Sequence, residues 1–283
     1  MPYVNVGKEN SGDIELYYED HGAGKPVVLI HGWPLSGASW ERQVPPLVDA
    51  GFRVITYDRR GFGNSSKPIS GYDYDTLSQD LHQLLTKLDL HDVTLAGFSM
   101  GGGEVARYIG IHGKERVSKA VFISCIPPFL LKTPDNPEAA DGSIFEGIKQ
   151  GLIADRPAFL SQFLANFYNV DKYRGTLISD QAVQLAWNVV AVASPTGTLA
   201  CVSAWLTDFR QDLARFAVPT LVIHGDADRI LPIAITGNRT HQSIKGSQLV
   251  VIEGGPHGTI WTHAAKVNQA LLNFLTEARP ASR

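Results

Sequence analysis

The stretch Gly97-Phe98-Ser99-Met100-Gly101 constrains the fold of this chain more than any other. Before it, Asp92-Val93-Thr94-Leu95-Ala96 is a short apolar, β-branched run that reads as a buried strand, and residues 101–108 open a helix directly behind it. A serine is thereby lifted onto a sharp strand-to-helix turn. Its backbone is forced into a strained conformation, and glycine two residues before and two after leaves room for strand and helix to pass closely. Strain of this kind is kept where a side chain has to be presented, here Ser99 Oγ at the carboxyl end of a strand beside a helix N-terminus. A glycine-rich turn holding an incidental serine would not bring strand, turn and helix in this order.

Taken from the N-terminus, residues 4–6 and 14–19 read as two antiparallel strands at a sheet edge, separated by Gly7 and by Ser11-Gly12-Asp13. Val27-Val28-Leu29-Ile30 is too continuously apolar for a half-exposed strand and belongs inside a parallel sheet covered on both faces. A helix is expected after Ser36, running through Trp40 to Asp49. Strand 53–57 follows, then the loop Asp58-Arg59-Arg60-Gly61-Phe62-Gly63-Asn64-Ser65-Ser66. Leu77, Leu81, Leu84, Leu85 and Leu88 then repeat at helical spacing. Beyond the helix after Ser99, residues 120–125 form another buried strand. From there to Asp212 the alternation of strand and helix stops, and helical patterns around 143–152, 157–167, 180–192 and 198–209 carry many aromatics. Strands at 219–225 and 248–253 and a helix near 264–277 complete the chain. Right-handed crossovers make this a mostly parallel, doubly wound sheet of eight strands. Residues 1–126 and 213–283 supply the α/β core, and residues 127–212 an inserted all-helical cap that belongs to the same structural unit.

A chain of 283 residues with 44% hydrophobic content buries a large core, and its net charge of −3 leaves no footprint for nucleic acid or for an anionic membrane surface. A small-molecule partner is expected. The start, Met1-Pro2-Tyr3-Val4-Asn5-Val6, has neither a basic nor an apolar leader segment, so a cytoplasmic location is expected. Cys125 and Cys201 read as buried free thiols without metal spacing, and neither a metal nor a cofactor is expected. Whether the chain forms a homo-oligomer is left open.

A serine hydroxyl needs an imidazole base, and that imidazole needs a carboxylate to fix its tautomer. Two loops open at the carboxyl edge of the sheet after Ser99: Gly225-Asp226-Ala227-Asp228-Arg229 and Gly254-Gly255-Pro256-His257-Gly258. Of nine histidines, His257 sits in the last of these, flanked by glycines. His21, His82, His91, His112, His241 and His263 read as solvent-exposed, and His31 and His224 as hydrogen-bonded supports at strand ends. Asp228 is preferred over Asp226, because a carboxylate next to the strand serves as a turn former while one further out reaches the histidine. The N–H groups of Met100 and Trp33 are the expected oxyanion donors, assigned by backbone position.

These segments place the chain in the α/β-hydrolase fold. With His31-Gly32-Trp33-Pro34, Asp58-Arg59-Arg60-Gly61-Phe62-Gly63, residues 97–108, His224-Gly225-Asp226-Ala227-Asp228 and Pro256-His257-Gly258 in hand, it resembles the bacterial cofactor-free haloperoxidase and aryl esterase family over nearly its whole length. The resemblance implies a Ser-Asp-His triad at Ser99, Asp228 and His257. It implies hydrolysis of small carboxylic esters, and perhydrolysis, in which hydrogen peroxide attacks the acyl-serine and a peracid leaves. Pro34 is similar to the perhydrolase branch of that family, where it would set the Trp33 carbonyl to accept a hydrogen bond from bound peroxide.

Phe98, Phe129, Phe145, Phe159, Phe163 and Ile230, with Phe167, Trp187 and Trp205, are candidates for an apolar acyl pocket, and Pro34 is grouped with them as a substrate contact. Other readings are a lactonase or γ-lactam amidase on the same triad, or a ligand-binding receptor on the hydrolase fold. Epoxide hydrolases and dehalogenases of this fold carry aspartate where this chain has Ser99.

Overall fold

A computed structural model of the chain describes residues 2–277. Eight strands form one sheet in the order β1-β2-β4-β3-β5-β6-β7-β8. They are β1 (Tyr3–Glu9), β2 (Gly12–His21), β3 (Lys25–Ile30), β4 (Phe52–Tyr57), β5 (Val93–Phe98), β6 (Val117–Ile123), β7 (Thr220–Gly225) and β8 (Gln248–Ile252). The first two pair antiparallel, β2 pairs antiparallel with β4, and every pairing from β4 to β8 is parallel. Gly7 stands inside β1, next to a bulge at Val6 where the register with β2 shifts between Asn5 and Gly7. The central strand β5 is buried at all six positions, as a parallel strand covered on both faces must be.

The expected helix over 37–49 is interrupted. A 3-10 turn at Gly37–Trp40 is followed by turn residues and then by α1 (Val44–Asp49). Pro45 and Pro46 have no N–H and fit only the first turn of a helix, so the helix restarts there. The sheet carries α2 (Tyr74–Lys87) and α3 (Met100–His112) as crossovers.

Between β6 and β7 lie α4 (Gly142–Phe167), α5 (Val170–Tyr173), α6 (Asp180–Ala191), α7 (Pro195–Ala204) and α8 (Arg210–Leu213). The two helices expected at 143–152 and 157–167 are one bent helix, α4. It breaks at Asp155 (φ −156°, ψ 88°), whose carboxylate caps the second half by accepting from the Ala158 N–H at 3.0 Å. The helix expected at 198–209 starts and ends earlier, because Ser194 accepts from the Gly197 N–H and Pro195 takes the first helical position. Strand β6 ends at Ile123, two residues before Cys125. After β7 come α9 (Gly237–Ser243) and, beyond β8, α10 (Thr259–Thr262) and α11 (Ala264–Thr276). Contacts join α1 to α11, and α2 to α3, α8 and α9 in sequence, so helices cover both faces of the sheet.

Candidate active site

Ser99 sits between β5 and α3 with φ 54° and ψ −117°, a left-handed conformation that an L-residue adopts only under constraint. The glycines around it are there for room. A Cβ on Gly97 would lie 2.5 Å from the Gly101 backbone, and one on Gly101 2.4 Å from the Ile30 carbonyl. The strained turn aims Ser99 Oγ at His257 Nε2, 2.8 Å away. The other ring nitrogen of His257, Nδ1, lies 2.7 Å from Asp228 Oδ2. A carboxylate can only accept, so Nδ1 carries the proton and Nε2 is free to accept from the Ser99 hydroxyl. His257 is fully buried, and Ser99 and Asp228 are each 6% exposed.

The sheet positions each partner. Asp228 follows β7, and its Oδ1 accepts from the N–H groups of Ile230 (2.9 Å) and Leu231 (2.8 Å). Burial alone would push the Asp228 carboxyl up, but the His257 imidazole bonded to it and the nearby His224 outweigh it and hold the group well below the usual carboxylate range. The carboxylate therefore stays charged wherever the imidazole must become imidazolium. Asp226, on the same loop, is exposed and accepts from the Gly254 N–H at 2.7 Å, tying the two loops together. The His257 ring packs against Phe98 (5.3 Å between centroids) and Phe167 (4.9 Å). Gly32 lies so close that a Cβ there would be 2.9 Å from Ser99 Cβ, which brings the following residue, Trp33, to the mouth of the same turn.

Ser99 opens into a cavity of about 540 Å³ between the sheet edge and α4. Among the candidates from the sequence, Trp33, Phe145, Phe159, Phe163, Trp205 and Ile230 line it. Phe98, Phe129 and Pro34 are not on its wall, nor are Phe167 and Trp187. Phe98 ends β5 facing the other way, into Trp40, Phe167 and His257. Phe129 turns its ring to the Arg210 guanidinium, 5.2 Å from the centroid. The sequence reading missed Ile126, Leu130, Ile144, Ile148, Leu231 and Ile235, together with Glu138, Gln162, Asn166 and Arg229 at the rim. The apolar run after Asp228 and the helical spacing of Ile144, Phe145 and Ile148 were the available signals.

Supporting groups are buried as well. His31 Nε2 accepts from the Arg59 N–H at 2.9 Å, and its Nδ1 lies 2.8 Å from the Gly32 carbonyl. Of the histidines read as exposed, His82, His112, His241 and His263 are half-buried; His82 and His112 stack with centroids 4.2 Å apart. Both cysteines are buried free thiols. Among the described residues, no three His, Cys, Asp or Glu side chains converge as metal ligands.

Residues 25–264 match the alpha/beta hydrolase fold family. The chain belongs to that family. A protein of Synechocystis sp. assigned as a non-heme chloroperoxidase is 62% identical over 97% of this chain and 100% of its own length. A crystal structure of a bromoperoxidase from Bacillus anthracis superposes with a TM-score of 0.94 at 54% identity, covering 97% of this chain and 99% of that one. A bifunctional esterase/perhydrolase of Acinetobacter calcoaceticus is 32% identical over 93% of this chain and 96% of its own. Within the alpha/beta hydrolases the chain thus stands among the non-heme haloperoxidases and their esterase/perhydrolase relatives. For a hydrolase of this fold, a serine on a strained turn bonded to a carboxylate-held imidazole is the arrangement that acyl transfer requires.

Proposed function

We propose that the chain is a serine hydrolase of small carboxylic esters and also a perhydrolase, with Ser99, His257 and Asp228 as its triad. His257 takes the Ser99 proton as Oγ attacks the ester carbonyl, then gives it to the departing alcohol. The negative oxygen of the intermediate is met by the N–H groups of Met100 and Trp33; losing one such donor costs about 10²–10³ in turnover. Water then cleaves the acyl-serine to the acid. When hydrogen peroxide attacks instead, its O–O bond survives, the acyl group passes to the peroxide oxygen and Ser99 regains its proton. The peracid released is the oxidant of halide, which gives one site both the esterase and the haloperoxidase behaviour named in its relatives.

The observation that carries this reading is the unbroken run from Asp228 through His257 to Ser99 Oγ at the floor of an apolar cavity. Its test is a panel of p-nitrophenyl acetate, acetate with hydrogen peroxide, and bromide with both, run on wild type and Ser99→Ala. All three activities should disappear together in the variant, since each passes through one acyl-enzyme. Bromination that survives in Ser99→Ala would locate the oxidation elsewhere and overturn the perhydrolase reading.

A further inference from the structure

We propose that His224 is a positioning residue, a second imidazole that holds the Asp228 carboxylate in place and tempers its grip on His257. This rests on the triad reading above. His224 is the penultimate residue of β7, and its side chain is fully buried. Its Nε2 lies 2.8 Å from the Leu231 carbonyl, which can only accept, so the proton is on Nε2. That same N–H lies 3.3 Å from Asp228 Oδ2, the oxygen that also receives the His257 bond. Leu231 returns the contact, since its own N–H donates to Asp228 Oδ1 at 2.8 Å. The end of β7 and the loop that carries the carboxylate are therefore tied together through Leu231, with His224 Nε2 in electrostatic contact with Oδ2.

The remaining ring nitrogen points to a function for this residue. His224 Nδ1 is buried without a partner among the described residues, and Gly237 at the start of α9 packs so tightly that a Cβ there would lie 2.6 Å from it. A buried acceptor without a donor is destabilising. An apolar side chain would fill the same space without that cost, so what the imidazole adds is its Nε2–H. The ionisable groups against Asp228 are His224 from β7, His257 from the loop after β8 and the Cys125 thiol beyond β6. Removing the His224 N–H leaves the carboxylate less compensated and freer to move. Its charge then acts more fully on His257 and favours the imidazolium.

Two measurements test this. In wild-type protein labelled with ¹⁵N-histidine, the neutral His224 ring should be the Nε2–H tautomer; an Nδ1–H tautomer would overturn the proposal. In ester hydrolysis, His224→Leu should lose about 10- to 100-fold in kcat with KM within about twofold, as a misplaced base does. The acid limb of kcat/KM should move up by about half a pH unit. His224→Gln, whose terminal N–H reaches near the same point, should return the limb to its wild-type place. A folded leucine variant with an unmoved limb would reduce His224 to a packing residue and end the proposal. Should the leucine variant not fold, His224→Asn, whose shorter amide falls short of Asp228, takes its place in the same comparison with His224→Gln, and an unmoved limb there would equally end the proposal; a wild type that turns over no ester fails the triad reading separately.

Discussion

Arg59 and Glu104 form an ion pair in which both side chains are 1% exposed. Glu104 also accepts from the Tyr57 hydroxyl at 2.6 Å, and Arg59 donates to the His31 carbonyl at 2.7 Å. The pair joins the end of β4, the end of β3 and the helix that begins after Ser99. Removing one partner leaves a buried charge uncompensated, at a cost of about 3–5 kcal/mol. Glu104→Leu should lose that much in urea unfolding, and adding Arg59→Met should recover most of it. A single-variant loss under about 1 kcal/mol would mean the guanidinium is already satisfied without Glu104.

The orientation of Asp228 makes Asp228→Asn informative. Two backbone N–H groups converge on Oδ1, so the amide oxygen of asparagine must occupy that position and its NH₂ must face His257. His257 would then have to accept at Nδ1 and carry its proton on Nε2, against Ser99. The wrong tautomer cannot take the serine proton, and kcat should fall by about 10⁴ with little change in unfolding midpoint. Loss of activity accompanied by unfolding would instead assign Asp228 a structural part.

What the sequence disclosed and what it hid follow from distance along the chain. The Ser99 turn is written in five residues, because the two glycines it needs are its immediate neighbours. Asp228 and His257 were accessible because a parallel sheet delivers its loops to one edge, so loop order alone brings them to the serine. Phe98 and Phe129 were misplaced because a strand end and a loop do not declare which way a ring turns; Trp40 and Arg210, distant in sequence, decide that. The wall formed by Ile144 and Ile148 was hidden for a related reason. Which face of α4 meets the loop after β7 depends on the bend at Asp155 and on packing against α6 and α7.

Stability should depend on pH through His31. Burial, reinforced by the Arg59 guanidinium, holds this imidazole well below the ordinary histidine value. Above about pH 6.5 neither folded nor unfolded chain binds the proton and the contribution is level. As pH falls below that value the unfolded chain binds one more proton than the folded one, and stability drops by up to about 1.4 kcal/mol per unit. Asp228, also held low, adds a loss of the same sign only below the carboxylate range. Urea midpoints at pH 7.5, 6 and 5 should decline in wild type and decline less steeply in His31→Gln. Parallel slopes in the two proteins would assign the proton to another group.

The bend in α4 offers a handle on the cavity beside Ser99. Gly151 in the first half of the helix faces Phe159 in the second, and a Cβ on Gly151 would lie 2.5 Å from the Phe159 ring. That ring lines the cavity with Ser99, so alanine at 151 should push it inward and shorten the space for the acyl chain. The expected result for Gly151→Ala is a fall of about tenfold in kcat/KM for p-nitrophenyl hexanoate relative to acetate, the scale on which apolar pockets discriminate. Alanine also favours the helix over glycine by about 1 kcal/mol, so unfolding should not explain the change. Adding Phe159→Leu should restore the longer ester by making room for the new methyl group. An unaltered hexanoate-to-acetate ratio in Gly151→Ala would show that the acyl chain does not reach Phe159 and occupies the side of the cavity formed by Ile230 and Leu231.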